Sequence, residues 1–188
     1  GHICQLSYIT IDASTKPQQT IGKNYFFTVD EMDPAAEAVH GFSLEKLYDF
    51  SNGQYIEDLI EEFINDFSEA DFVIGHNVNF DVRFLKLELE AMGIDYEPKN
   101  MFCTMQYYRD ICKILRPSGD YKNPKLEEVI NFLGITKDQI SSKADELFQG
   151  SGDYHDARFD TAATYLLIIE GLKKGYIPRG YFSKKLSN

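Results

Sequence analysis

The sequence predicts an α/β fold, and three observations carry that expectation. Residues rich in β-formers run from Ile3 to Ile11 and again from Asn24 to Val29, with a polar stretch containing Pro17 between them. A short apolar strand, Phe72-Val73-Ile74, closes at Gly75 and passes almost directly into a helical pattern. Helical periodicities of the core-facing kind fill much of the remaining chain.

In chain order, Ile3 to Ile11 carries apolar residues on both faces, so the strand is expected to be covered on both sides. Asp12 to Gln19 is polar and reads as a turn, and Asn24 to Val29 returns as an antiparallel partner. Pro34 suits the first turn of a short helix capped by Asp33 and running through Val39. Ser43 opens a second short helix, SLEKLYDF. Ile56, Leu59, Ile60, Phe63, Ile64 and Phe67 keep helical spacing and lead to the strand at Asp71.

Beyond Gly75 the chain crosses His76-Asn77-Val78-Asn79 and enters a helix. Phe84, Leu85, Leu89 and Met92 share one face of it, and Gly93 stops it. Phe102 to Thr104 reads as a short strand and Thr104 to Ile114 as a helix. After the loop 116–122, Asn123 is the expected cap of a helix with Pro124 at its first position. Leu126, Val129, Ile130 and Leu133 form that helix's core face, and Gly134 ends it. Thr136 to Phe148 is amphipathic, and 149–154 is a small-residue segment delivering His155. The final helix carries Ala162, Ala163, Leu166 and Ile169 on one face up to Glu170 and Gly171.

The chain has 188 residues, 43% of them apolar, enough for one domain with a real core. No apolar run is long enough for a membrane span, and no signal-peptide pattern opens the chain. Three Cys without paired or zinc-type spacing point to a reducing compartment, here the cytoplasm. Cys103 reads as a free thiol in a core strand. The net charge of −11 opposes broad non-specific binding to nucleic acid. It agrees with a carboxylate site that reaches phosphate through divalent metal and with a footprint of a few nucleotides. Lys173, Lys174, Arg179, Lys184 and Lys185 read as a solvated tail.

Two polar positions stand out. Asp81 falls in the first turn of a helix just past a strand end, where α/β folds build sites. It serves there as an ordinary first-turn acid or as a metal ligand. His155 precedes Asp160 by five residues at the start of the final helix, a spacing that lets a loop His lean over a carboxylate-bound metal and deprotonate water. An exposed loop His ahead of an ordinary core helix gives the same pattern.

The segments HNVNFD (76–81) and H-x-x-x-x-D (155–160) resemble the second and third motifs of the DEDD 3′–5′ exonucleases. The His matches the DEDDh branch, which includes the proofreading epsilon subunit of bacterial DNA polymerase III. Val39 to Ser43 is similar to that family's V-H-G-I-T segment, Cys103-Thr104 stands where members carry Asp-Thr, and Pro124 to Ile135 resembles a further family helix. The resemblance runs from about Ile3 to Leu172 in one order. It implies a ribonuclease-H-like fold with a mixed five-stranded sheet flanked by helices, its first strand missing from these residues, with 1–175 the exonuclease domain lacking that strand and 176–188 a C-terminal tail.

The implied activity is 3′–5′ hydrolysis of phosphodiester bonds at a single-stranded DNA or RNA 3′ end, DNA being preferred. Two divalent ions, Mg2+ or Mn2+, would lie about 3.5–4 Å apart. Asp81 and Asp160 would bind metal and His155 would take the water's proton. His40 would lie near the nucleotide, and His76, Asn77 and Phe80 would shape the floor of the site. A DNA polymerase subunit is a partner the resemblance allows. His40 has an equal alternative as a helix-end packing residue.

The family's first motif, D-x-E on the first strand, has no counterpart before Ile3. The expectation is that the natural chain continues upstream and that these 188 residues alone are nearly inactive. Two rivals follow: an inactive nuclease fold serving as a binding module, and a metal-dependent phosphatase. Retention of Asp81, His155 and Asp160 together opposes the first, and the HN-x-x-FD and H-x-x-x-x-D pairing opposes the second.

Overall fold

A computed structural model describes residues 2–149 and 156–187. The chain begins with a hairpin of β1 (Gln5–Asp12) and β2 (Gln19–Phe26), paired antiparallel from Gln5 opposite Phe26 to Asp12 opposite Gln19. Asp12 makes the turn by accepting from the Ser14 N–H at 2.9 Å and the Ser14 hydroxyl at 2.6 Å. The return strand starts earlier than the β-propensity run at Asn24 suggests. Polar residues from Gln19 onward are held by the ladder itself, whose backbone bonds do not depend on side-chain type.

Then follow α1 (Pro34–His40), α2 (Leu44–Ser51), α3 (Ile56–Glu69), β3 (Val73–Gly75), α4 (Val78–Ala91), β4 (Met101–Cys103) and α5 (Thr104–Cys112). The chain continues through α6 (Leu126–Leu133), α7 (Lys137–Phe148), α8 (Ala157–Lys174) and α9 (Tyr181–Leu186). Asp33 and Ser43 cap α1 and α2, accepting from the N–H groups of Ala35 and Lys46.

The α/β class agrees with the expectation, while the five-stranded mixed sheet, expected to lack its first strand here, is not assembled as one sheet among the described residues. The described residues form two separate two-stranded sheets, the β1–β2 hairpin and a parallel β3–β4 pair. No described strand lies between them to join the ladders.

Two helix ends also move. The helix expected to begin at Pro124 starts instead at Leu126, because the Pro124 carbonyl is taken by His76 and Glu128 folds back to accept from the Lys125 N–H at 2.9 Å. The final helix does not stop at Gly171 but runs to Lys174, with Gly175 (φ 80°) as its left-handed cap. Gly171 is interior because a Cβ there would fall on the Tyr108 hydroxyl and lie 2.9 Å from Ile177 Cδ1. Its function is close approach rather than termination.

Three apolar clusters hold these elements. Phe27, Ile56, Phe63, Leu85, Leu89 and Tyr96 pack one face of the hairpin against α3 and α4. Tyr108, Val129, Ile130, Leu133, Ile140, Phe159 and Leu167 unite α5, α6, α7 and α8. Phe102, Ile168 and Ile177 form the third, with Tyr181 and Phe182 of α9 packed on it. Ile177 is fully buried, so residues after Lys174 contribute to the core. Each such large apolar side chain contributes about 1.5–3 kcal/mol by leaving water. Helix α8 lies along β1 and carries Phe159 and Leu167 into the second cluster and Ile168 into the third. The start of α8 is therefore among the best-supported helix ends in the fold.

Candidate active site

Gly75 ends β3, and Asn77 turns the chain into α4 in the left-handed conformation (φ 70°), which Asn tolerates better than most residues. This turn places Asp81 in the first turn of α4, as the sequence suggests. A Cβ on Gly75 would sit 3.1 Å from Asp81 Oδ2, so the carboxylate rests directly against the bare glycine. Sequence reading assigns Gly75 only as a strand stop; the missing side chain is what lets Asp81 lie there.

On the other side, Asp160 lies in the first turn of α8 and its N–H donates to Asp156 O at 3.2 Å. The two acids, 79 positions apart in the chain, are close enough to act on one another. The pKa of Asp81 is pushed up to about 6, first by desolvation among surrounding protein atoms and second by the charge of Asp160. Asp81 still presents surface to solvent. It is a carboxylate partly desolvated by neighbouring protein atoms yet still open to solvent.

His76 is anchored on both sides. Its Nε2 donates to the Pro124 carbonyl at 2.8 Å, which leaves Nδ1 to accept from the Thr104 hydroxyl, also at 2.8 Å. Burial lowers its pKa against the opposing effect of the Pro124 bond, so the ring stays neutral. His76 thus ties the end of β3 to the start of α5 and to the chain before α6. Thr104, fully buried, is a supporting residue that sequence reading missed. Its only sequence signal is its position next to Cys103 in the family-like segment.

Asn77 and Phe80 both face outward. Phe80 is 56% exposed and packs against Phe84 with ring centroids 4.7 Å apart, presenting an aromatic face one residue from Asp81. His40 sits at the C-terminal end of α1, where Nδ1 accepts from the Phe42 N–H at 2.9 Å and Nε2 lies 4.0 Å from Cys4 Sγ. Its pKa is lowered by burial, with Glu37 opposing. His155 lies outside the described residues.

A second group unread in the sequence surrounds the start of α8. Asp156, 6% exposed, caps the helix through the Arg158 N–H and takes the Arg158 guanidinium on both oxygens, at 3.1 Å and 2.9 Å. Gln5 of β1 completes the arrangement, donating to Asp156 Oδ1 at 3.1 Å and accepting from the Ala157 N–H at 3.0 Å.

The described residues thus bring together two carboxylates from two helix starts, flanked by an exposed aromatic and a neutral, fixed His. Among the described residues no group of three His, Cys, Asp or Glu is assembled for a metal ion.

Comparisons with known proteins give the chain's family. Over 145 residues, 77% of this chain and 9% of each relative, it is 28% identical to the "DNA polymerase III PolC-type" proteins of Thermotoga petrophila and Thermotoga maritima. Over 120 residues, 64% of this chain and 11% of the relative, it is 28% identical to the "3′-5′ exonuclease DinG" of Staphylococcus haemolyticus. The chain spans only about a tenth of the length of these curated relatives. The exonuclease family model (RNase_T) matches residues 1–167, which include both facing acids and the anchored His76, and the chain belongs to that family.

Proposed function

We propose that this domain is a DEDDh-type 3′–5′ exonuclease that hydrolyses phosphodiester bonds from the 3′ end of single-stranded DNA. The observation that carries the proposal is the pairing of Asp81 with Asp160: two acids held near each other, one of them with its pKa raised to about 6. Like charges kept together at a cost are a mark of sites that bind a cation or move a proton.

The donor chemistry fits Mg2+ or Mn2+. Both prefer carboxylate oxygens, and Mg2+ is commonly held by one or two carboxylates with water and substrate phosphate completing the shell. Asp81 and Asp160 would hold the ions. Bound ions would neutralise phosphate charge and make water a better nucleophile. The protein's own residues do the rest. Gly75 leaves room for the Asp81 carboxylate, and His76, held by Thr104, is assigned to shape the floor of the site. Phe80 offers a face for the terminal base, a sequence-tolerant contact. His155, one residue before the Asp156 cap, is assigned as the base that accepts the water's proton. His40 and Asn77 are assigned to the nucleotide's surroundings.

The names of the relatives support a setting in DNA metabolism. We place the protein in the cytoplasm, with a DNA polymerase subunit among its partners. None of the described helices is long and apolar enough to cross a membrane.

The test is digestion of a 3′-labelled single-stranded oligonucleotide by the full-length protein, with Mn2+ and with EDTA, beside Asp160→Ala. The expected result is metal-dependent shortening from the labelled end that the substitution abolishes. A folded full-length protein that binds the oligonucleotide but never shortens it would identify a binding module instead.

A further inference from the structure

We infer that Gln5 and Glu88 are positioning residues that fasten the two acid-bearing helices to one segment, β1 and the residues leading into it, and so set the separation of Asp81 from Asp160. The inference rests on the reading of those acids as a metal-binding pair.

Among the described residues, β1 and β3, from which α4 departs, belong to different sheets. Side chains make the connection. On α4, Glu88 lies seven residues after Asp81, two turns along and on the same side. It is 7% exposed, and its Oε1 accepts from the Ile3 N–H at 2.8 Å and lies 3.3 Å from His2 Nδ1. A carboxylate this buried that accepts a backbone N–H is a specific tie, because leaving either group unpaired is costly.

On α8, the Gln5 amide uses both of its ends. Its oxygen accepts from the Ala157 N–H, the first of the new helix, while its nitrogen donates to the cap Asp156 at 3.1 Å and to Asn24 Oδ1 at 3.0 Å. A side-chain amide provides both roles from one group. Two residues along β1, the Ser7 carbonyl accepts from the Thr161 hydroxyl at 3.2 Å, next to Asp160. Within Ile3 to Ser7, β1 and its lead-in grip α4 at one point and α8 at three. The strand acts as a gauge between two helix starts.

The fold contains its own control. Tyr8, next along β1, donates to Asp66 Oδ2 at 2.6 Å, and Lys23 of β2 donates to the same oxygen at 2.7 Å. This tie is as short as the others but leads to α3, which carries none of the assigned ligands.

The test compares wild-type protein with Gln5→Met, Glu88→Leu, Glu88→Gln, Thr161→Val, Asp66→Ala and Asp160→Asn. Three readouts are taken: Mn2+ affinity from the spin-resonance signal of free Mn2+, kcat and KM on a 3′-labelled oligonucleotide, and the thermal midpoint. Groups that orient ligands typically cost about 10- to 100-fold in metal affinity or activity when removed. Gln5→Met and Glu88→Leu are expected to weaken Mn2+ binding by about that factor and to lower kcat with KM little changed. Glu88→Gln retains an oxygen for the Ile3 N–H and is expected to restore both. Thr161→Val, the mildest change, is expected to follow the same direction if the larger variants fail to fold. Asp66→Ala is expected to lower the thermal midpoint while leaving Mn2+ affinity intact. Equal Mn2+ affinity in wild type, Gln5→Met and Glu88→Leu, or an equal loss in Asp66→Ala, overturns the inference. Unchanged Mn2+ binding in Asp160→Asn overturns the metal-site reading itself, a separate outcome.

Discussion

Replacing Asp81 by Asn is expected to stabilise the protein near neutral pH, although it removes a proposed catalytic-site acid. An ordinary Asp in a first helical turn is favourable: its charge faces the positive end of the helix dipole, and losing it costs about 0.3–1 kcal/mol. Asp81 departs from that pattern because crowding by protein atoms, and then the charge of Asp160, raise its pKa from 3.8 to about 6. The sign follows from proton counting. Between those two values the folded state holds more proton at this site than the unfolded state, so stability falls as pH rises from about 4 to about 6 and stays lowered above.

The full shift corresponds to at most about 3 kcal/mol. Asp81 remains open to solvent on one side, and water screens such an interaction, so about 1 kcal/mol is the magnitude expected. For a domain of this size that is about 2–4 °C in thermal midpoint. The assay is thermal unfolding of wild type and Asp81→Asn in EDTA. The mutant's midpoint is expected to exceed wild type by that amount at about pH 8 and to match it at about pH 4. Added Mn2+ is expected to raise the wild-type midpoint and leave the mutant's nearly unmoved, since a bound cation relieves the same repulsion. A mutant less stable than wild type at about pH 8 would mean that Asp81 is a plain first-turn acid and that the two carboxylates do not form a strained pair.

Three further outcomes follow from individual side chains. Gly171→Ala is expected to destabilise despite a gain of about 1 kcal/mol in helix propensity. The new methyl collides with the Tyr108 hydroxyl and Ile177, displacing the 2.7 Å bond from Tyr108 to the Leu167 carbonyl, and overpacking of that kind costs about 1–3 kcal/mol before the lost bond is counted; urea unfolding measures it. Thr104→Val keeps the shape but leaves His76 Nδ1 without a donor, so a loss of about 1–3 kcal/mol and a midpoint lower by about 2–12 °C are expected; an unchanged midpoint would remove His76 from its anchoring role. Phe80→Ala is expected to leave the midpoint nearly unchanged, because the ring is 56% exposed, while raising KM for single-stranded DNA by about 5- to 150-fold through loss of one base-stacking contact.

Periodicity made the helices legible in the sequence because each depends on neighbours three and four residues away. Ile56 to Phe67, Thr136 to Phe148 and the face carrying Ala162 and Ala163 all fold as their spacing suggests. The first-turn positions of Asp81 and Asp160 were legible because a helix start beside a strand end or a loop is a local feature. What local reading missed has one physical origin. The start of α6, the interior place of Gly171 and the joint roles of Gln5, Glu88 and Thr104 are all decided by partners far away in the chain. Gln5 meets Asp156 across 151 positions, Glu88 meets Ile3 across 85, and His76 meets Pro124 across 48. No propensity or motif encodes such a contact.

The same distinction bears on why a site of this kind needs so many supporting groups. Two helix starts bring their acids together readily, since each helix positions its own first turn. Their separation is another matter: repulsion between Asp81 and Asp160 pushes the helices apart, and apolar packing, being non-directional, resists that only softly. Directional bonds from Gln5, Glu88 and Thr161 to a single strand resist it stiffly. They sit where the described sheets supply no backbone ladder of their own. A carboxylate pair without such ties would relax by a small outward movement of α4, lowering the Asp81 pKa and loosening any ion held between them. The Asp81 pKa is raised first by desolvation and second by the charge of Asp160, and the polar ties around β1 bear on that second cause by opposing the movement that would separate the two acids.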